Sequence, residues 1–303
     1  MAVIVLDRAP TLALTTRTVR RGRRAANTAA TWAIYGLFAV ALVPLVSLVW
    51  TALSRGLARF DTDFVTNSMR GVVGAGGGAL HAILGTGLIT GATVLLSVPV
   101  GIATAIYLVE YGRGAFARTV TFLVDVMTGI PSIVAGLFAY TVFSLILGPG
   151  ARSGLAGALA LSLLMIPIVV RTSEEMLRLV PDDLREAAYA LGTPKYRTIG
   201  KIVLPTAISG IVSGVMIGVA RIVGETAPLL LVAGYSDAMN YNVFSERMTT
   251  LPVFIYQQWK FKGTDVAAYD NRAWTAALML IAFVLLLNLA SRLVARVFAP
   301  KAR

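Results

Sequence analysis

The chain has 303 residues, of which 57% are apolar and only 14% are charged, and its formal net charge is +12. This shortage of charged residues excludes an ordinary soluble domain. Cysteine is absent, which excludes disulfides, thiolate metal sites and a cysteine nucleophile, and a single histidine, His81, excludes a polyhistidine metal centre.

Six apolar runs are each long enough to cross a bilayer, because a hydrocarbon core of about 30 Å takes roughly 20 helical residues. We therefore predict an all-α integral membrane protein with a single transmembrane domain, residues 30–298. A basic N-terminal tail, residues 1–29, is predicted to be disordered, and residues 299–303 form a C-terminal tail. The predicted spans are residues 30–53, 80–109, 116–147, 154–179, 205–233 and 274–298.

The basic residues predict the orientation of these spans. One side of the membrane carries 18 Lys and Arg residues in the two tails and two connections, the other side carries 8, and Arg221 lies inside the fifth span. The positive-inside rule places both termini in the cytoplasm, so the net charge reflects topology and not nucleic-acid binding. The RRGRR sequence at residues 20–24 resembles an export signal, but the apolar run that follows is too long and lacks an Ala-x-Ala cleavage pattern.

Two features at the outer side receive no functional role. The glycine-rich run at residues 71–78 lacks the G-x-x-x-x-G-K-S/T pattern of a phosphate loop. We predict a flexible entry into the second span there. His81 lies at the outer edge of that span, and an isolated interfacial histidine needs no special role.

The third span contains a break. Its 32 residues would measure roughly 48 Å as one helix, which is too long for a straight span. Pro131 disfavours a helical conformation at Ile130, so the helix should stop there and restart near Ser132. A half-helix starting at Ser132 would turn its positive end towards an anion at membrane depth. A simple proline kink fits the sequence equally well.

The connection between spans four and five predicts a helical hairpin outside the bilayer. Pro181 ends the preceding helix, and Asp182 and Asp183 suit the first turn of a new one. Gly192 can take the left-handed conformation that ends this helix, and Pro194 begins the next. The alternative is an amphipathic loop lying on the membrane surface. The predicted apolar face of the first helix consists of Leu184, Ala187, Ala188 and Leu191.

The fifth span carries two ionisable residues, which are costly in a membrane and indicate function. Arg221 lies about 24 Å along the helix from Pro205, and Glu225 is four residues further on, close enough to pair with it. Pro228 weakens the backbone beside Glu225. The two residues either form a structural ion pair, or Arg221 meets a passing oxyanion while Glu225 limits trapping.

The hairpin sequence resembles the EAA loop of ABC importer permeases of the binding-protein-dependent family. Glu186, Ala187 and Ala188 match the name-giving triplet, followed by Gly192 and by residues 202–205, IVLP. The resemblance implies a type I permease arrangement in which the loop, residues 181–205, docks a coupling helix onto an ATPase subunit. The chain itself has no Walker A motif and no catalytic site of its own, so ATP and Mg²⁺ would be bound by that partner.

Three stretches are similar to PstA-type phosphate permeases: residues 129–137, 171–177 and 220–229. In that family, the positions of Arg171, Arg221 and Glu225 are implicated in transport, and Thr226 lies in the same stretch. The resemblance implies a second related permease, two ATPase subunits, an extracytoplasmic phosphate-binding protein and inorganic phosphate as partners, in the lipid of a bacterial inner membrane. A permease for sulfate, molybdate or phosphonate is the alternative, whereas a membrane enzyme or a channel would need a catalytic cluster or a charge ring.

Overall fold

The computed structural model describes residues 21–298, and every regular element in that range is helical. The described chain divides between Trp50 and Thr51 into two compact units. The described part of the first unit is the beginning of helix α1, Arg21–Gly56, whose large apolar side chains are exposed along its length, Trp32 by 70%. The prediction of a disordered tail is wrong for residues 21–29, where an alanine-rich stretch continues the helix. Residues 1–20 and 299–303 lie outside the described range.

The second unit contains the remaining helices. They are a short 3₁₀ turn at Leu57–Arg59, α2 (Thr62–Thr66), α3 (Leu80–Ile106) with a π-helical end at Tyr107–Tyr111, α4 (Gly114–Thr128), α5 (Ser132–Leu147), α6 (Gly154–Arg178), α7 (Asp182–Ala190), α8 (Lys195–Thr198), a π-helical turn at Ile199–Val203, α9 (Leu204–Val223), α10 (Ala227–Val232), α11 (Leu251–Lys260) and α12 (Val266–Phe298).

The predicted spans correspond to the long helices. Five helical stretches of the described chain are long and apolar enough to cross a membrane, and α4 with α5 forms a sixth candidate that is bent by 108°. Several boundaries differ from the prediction, since the first span already begins at Gly22 and the last at Val266. The fifth span begins at Lys195, because α8 runs through the π-helical turn into α9, and it ends at Val223. The second helix of the predicted hairpin is therefore an extension of the fifth span and not a separate short helix.

Small residues set the packing of three central helices. A Cβ on Gly101, late in α3, would lie 2.8 Å from Cβ of Val169, late in α6. A Cβ on Gly157, early in α6, would lie 3.5 Å from Cδ1 of Ile89, in the first half of α3. Because early residues meet early ones and late residues meet late ones, α3 and α6 run parallel. Helix α9 runs antiparallel to α6, because Gly210 faces Met176 whereas Gly218 faces Met165. Close approach of backbones through small residues is the usual basis of helix association in membranes.

The breaks in the third and fifth spans lie against each other. A Cβ on Gly136 of α5 would lie only 2.6 Å from Cα of Pro228 in α10. The new helix that starts at Ser132 fits the half-helix interpretation, because a 108° bend with non-helical residues between α4 and α5 exceeds a simple kink. The half-helices α5 and α10 thus pack together where both spans lose their regular hydrogen bonds.

The glycine-rich run is fixed in place, so the prediction of a flexible entry is wrong. The guanidinium of Arg272, which is 1% exposed, donates to the carbonyl oxygens of Gly74 at 2.7 Å and Gly76 at 3.0 Å. Arg59 donates to the carbonyls of Ala75 and Gly77. Glycine leaves these carbonyls accessible to the two arginines, and the charge-assisted bonds immobilise the run.

His81 is buried rather than interfacial. Its ring packs edge-on against Phe254 with centroids 5.4 Å apart, and neither ring nitrogen has a hydrogen-bond partner in the structure. This burial could not be predicted from local sequence, because the packing of α11 over the start of α3 brings Phe254 to His81 from far along the chain.

Candidate substrate pathway and coupling site

One stripe of α9 is left uncovered by the described residues. Ser213, Ile217 and Arg221 follow one another at four-residue spacing and are all exposed, whereas Val219, Ile222 and Val223 on the opposite side belong to the core. Helix α9 ends at Val223, so Arg221 lies in its last turn, where the negative end of the helix dipole favours a cation.

Arg221 and Glu225 lie close in sequence but are not paired. The chain leaves the helix after Val223, and Glu225 stands in the non-helical link before α10, with Thr226 at the N-cap of α10. Among the ion pairs of residues 21–298, none joins these two side chains within 4.0 Å. The structural ion pair that an unbroken helix would permit does not form in this conformation, and no carboxylate of residues 21–298 neutralises the Arg221 guanidinium.

Arg171 belongs to a separate cluster of charges. It forms an ion pair with Asp125 of α4, and its Nη1 lies 2.8 Å from Oε2 of Glu174. Oε1 of Glu174 accepts from Nη2 of Arg178 at 2.7 Å. A cavity of about 370 Å³ lies beside these groups, and Arg118 also lines it. Arg171 thus joins α4 to α6, which the sequence could not foresee because Asp125 is 46 residues away.

The structure does not bring Arg171 and Arg221 together. Gly214 of α9 faces Thr172, the neighbour of Arg171. Arg221 lies two turns further along α9, about 10 Å along its axis. The two arginines therefore occupy different levels of the bundle, so one compact anion could not contact both in this conformation.

Helix α7 exposes most of its predicted apolar face. Leu184, Ala187 and Leu191 are exposed, Leu191 by 86%, and Glu186 is also exposed. Ala188, by contrast, is 3% exposed. Of the four residues of the predicted apolar face, Ala188 is the one that is buried against other residues of the described chain.

The turn after α7 and its anchors are well defined. Gly192 adopts φ +74°, the left-handed conformation predicted for it. Arg185 of α7 lies 3.0 Å from Oε1 of Glu110 in the π-helical end of α3, and Nζ of Lys195 donates to the carbonyl of the same residue. Lys195 also lies 4.8 Å from the ring centroid of Tyr111. Both arms of the hairpin are thus fastened to the end of α3.

The structure also places two unpredicted arginines together at the opposite end of the bundle. Arg152, just before α6, and Arg247 line a cleft of about 380 Å³ with Gly150, Ser236 and Glu246. Next to this cleft, burial raises the pKa of the Tyr235 phenol, as does its 2.5 Å hydrogen bond to Asp237, so the hydroxyl stays protonated. No motif marks these positions, because they come from two separate connections, one before α6 and one between α10 and α11.

Known sequences resemble this chain over most of its length. The profile of binding-protein-dependent transport system inner membrane components matches residues 97–303. The phosphate transport system permease protein PstA 1 of Mycobacterium tuberculosis (strain ATCC 25618 / H37Rv) is 48% identical over 250 residues, which cover 82% of this chain and 80% of that protein. The PstA protein of Yersinia pestis is 45% identical over 228 residues, covering 75% and 74%.

Solved structures share the fold. A chain of the MetNI methionine ABC transporter, captured in inward-facing conformations, superposes with a TM-score of 0.56 at 21% identity, covering 73% of this chain and 94% of that chain. A chain of a bacterial alginate ABC transporter in complex with an alginate pentasaccharide-bound periplasmic protein gives a TM-score of 0.64 at 15% identity, covering 92% and 99%. At these identities the likeness concerns the fold alone, and it confirms the predicted all-α permease fold.

Proposed function

We propose, on the premise that this chain belongs to the family of binding-protein-dependent transport system inner membrane components, that it is a permease subunit of an ATP-driven importer of inorganic phosphate. The observation that carries the proposal is the 48% identity with a phosphate permease of Mycobacterium tuberculosis over 82% of the chain. Two motif positions have local structures that fit this proposal. Gly136 of α5 packs against Pro228 of α10, and Gly192 in the EAA loop adopts the left-handed conformation. A permease for another oxyanion such as sulfate, molybdate or phosphonate remains the second candidate.

The uncovered stripe of α9 would face the translocation pathway or the second permease. An arginine at membrane depth is costly unless it meets water, a counter-charge or a ligand. Arg221 has no carboxylate partner among the described residues, so a phosphate oxygen can take the place of that partner. The carboxylate of Glu225, in the non-helical link between α9 and α10, would keep the anion from binding too tightly. The N-terminal ends of α5 and α10, marked by Ser132 and Thr226, would also contribute to this surface.

The hairpin would transmit the ATPase cycle. Glu186, Ala187 and Leu191 would contact a groove of the ATPase, and their exposure fits a surface that a partner covers. When ATP and Mg²⁺ bring the two ATPase subunits together, the hairpins of both permeases would move, and the Arg185–Glu110 contact would carry that motion to α3. The bundle would then alternate between outward and inward access. This chain contributes no catalytic group to hydrolysis.

The orientation follows from the basic residues. The hairpin end of the bundle carries the larger number of Lys and Arg residues, so it would lie in the cytoplasm with both termini. The cleft with Arg152 and Arg247 would then face the extracytoplasmic side, where a phosphate-binding protein delivers the anion. Residues 1–29 would meet the anionic lipid of the inner leaflet.

Uptake of labelled phosphate tests the proposal. Cells lacking this subunit would receive the wild-type chain, Arg221→Gln or Glu186→Arg, each checked for membrane abundance, with excess sulfate as competitor. We expect wild type to restore uptake that sulfate does not reduce, and both variants to fail. Arg70→Gln, an exposed arginine outside the spans, and Glu186→Gln serve as controls that retain uptake. If excess sulfate abolished the uptake, the assignment of phosphate as the substrate would be overturned in favour of another oxyanion.

A further inference from the structure

The cleft at the distal end of the bundle is built from two connections, the one before α6 and the one between α10 and α11, which hydrogen bonds hold in place. The amide of Ser153 donates to the carbonyl of Val232 at 3.1 Å, and the amide of Met248 donates to the carbonyl of Ala233 at 3.1 Å. The first bond joins the start of α6 to the end of α10, and the second joins the two ends of the connection between α10 and α11. The cleft is therefore preformed and does not depend on a partner to assemble it.

Two arginines meet in this cleft without a carboxylate partner. Their stems pack over Gly234, whose missing Cβ would lie 3.0 Å from Cδ of Arg152 and 3.3 Å from Cδ of Arg247. Neither arginine forms an ion pair with a described residue. Nε of Arg152 is buried and has no hydrogen-bond acceptor. A buried guanidinium nitrogen without an acceptor is unfavourable, so the site lacks an anionic or carbonyl oxygen.

The surroundings suit an oxyanion. The hydroxyl of Ser236 accepts from the amide of Ala238 at 3.3 Å, which leaves its own proton free to donate. Arg152 directly precedes the N-cap of α6, where the helix dipole is positive. Glu246 lines the same cleft but is exposed, so its charge reduces the attraction without filling the site. The volume of about 380 Å³ holds a tetrahedral oxyanion and several waters, each of which takes about 30 Å³ in the liquid.

We propose that Arg152, Arg247 and Ser236 form an extracytoplasmic receiving site for inorganic phosphate, which holds the anion before it passes to Arg221. This inference rests on the proposed function, because it names an additional site on the same route. Helix α10, only six residues long, separates the cleft from the link that follows Arg221. The opposing charge of Glu246 keeps the site weak, as release into a pathway requires.

Accessibility of a single thiol tests the site directly. The chain has no cysteine, so Ser236→Cys supplies its only thiol, and modification of this subunit in the reconstituted complex is followed by mass. We expect an anionic thiosulfonate to react about tenfold faster than a cationic one, because two arginines concentrate anions. Millimolar inorganic phosphate should slow both reactions, and Arg152→Gln with Arg247→Gln should abolish the preference and the protection. The matched control Arg70→Gln should change neither.

Three outcomes separate this site from the proposed function. Equal reaction rates without phosphate protection, in a complex that imports phosphate, would overturn the site and leave the function standing. Protection by the phosphate-free binding protein, but not by phosphate, would assign the cleft to a carboxylate of that protein and overturn the site. Phosphate protection in a complex that imports no phosphate would support the site and reject the function.

The site should also matter for transport. In a transporting complex, Arg152→Gln with Arg247→Gln should lower uptake at limiting phosphate about tenfold.

Discussion

Arg185 forms an ion pair with Glu110, in which Nε and Nη2 of the arginine each lie 3.0 Å from Oε1 of the glutamate. Both side chains are largely buried, 12% and 5% exposed. Nη1 and Nη2 of Arg185 also donate to the carbonyls of Val180 and Leu177, so the arginine joins the end of α6, helix α7 and the end of α3. A displacement of the hairpin must therefore move these elements together or break a buried ion pair.

Glu110→Ala should destabilise the chain by about 3 kcal/mol, because it leaves the Arg185 charge buried without its main counter-charge. Thermal unfolding of the purified complex measures the loss. Asp182→Ala is the matched control, since Asp182 also pairs with Arg185 but is 85% exposed. Its loss should cost less than about 1 kcal/mol. Equal effects of the two changes would show that Glu110 is no special anchor.

Arg171→Gln should lower phosphate uptake about tenfold while changing stability by less than about 1 kcal/mol, because its contact with Asp125 is partly exposed. The expected loss of uptake has another cause: this arginine forms the ion pair between α6 and α4, the helix that leads into the broken span. Uptake and membrane abundance are measured side by side. Arg178→Gln removes the other arginine bound to Glu174 and should leave uptake within about twofold. A similar loss in both variants would assign the effect to Glu174 instead.

Gly136→Ala should destabilise the bundle by roughly 1–3 kcal/mol, because the new Cβ would lie 2.6 Å from the backbone of Pro228. Unfolding of the complex in detergent measures this cost. Gly91→Ala in α3 is the control, since nothing lies within 4 Å of its Cβ position, and it should be neutral or stabilising by up to about 1 kcal/mol. If Gly136→Ala were as stable as wild type, the two half-helices would not be tightly packed.

Gly192→Ala should weaken the hairpin by about 1 kcal/mol, because φ +74° is unfavourable for a residue with a Cβ. We expect less ATP hydrolysis stimulated by loaded binding protein, with uptake falling in parallel. Gly192→Asn should be milder, because asparagine tolerates the left-handed region. Identical stimulation in wild type, the alanine variant and the asparagine variant would mean that the turn conformation does not matter for coupling.

The span positions and the hairpin turn follow from local sequence, but the contacts between charges do not. Apolar length locates α3 and α6, a proline at 131 locates the restart of α5, and Gly192 marks the end of α7. The i, i+4 spacing of Arg221 and Glu225 suggested a pair that the structure does not form, because the helix stops between them. Ala188 looked like part of a docking face and is buried by the fold.

The sequence by itself determined the positions of the long apolar helices, the break at Pro131 and the left-handed turn, because these depend on hydrophobic length and on steric limits within a few residues. It also carried the resemblance to phosphate permeases, which depends on the identity of residues along the chain. Tertiary structure alone decided that Arg171 meets Asp125, that Arg185 meets Glu110, and that Arg152 and Arg247 share a cleft. Partner choice depends on which helix faces which and at what level, and small residues such as Gly101 and Gly136 set that register through close backbone contact. A charge pattern read along one chain segment does not contain that information.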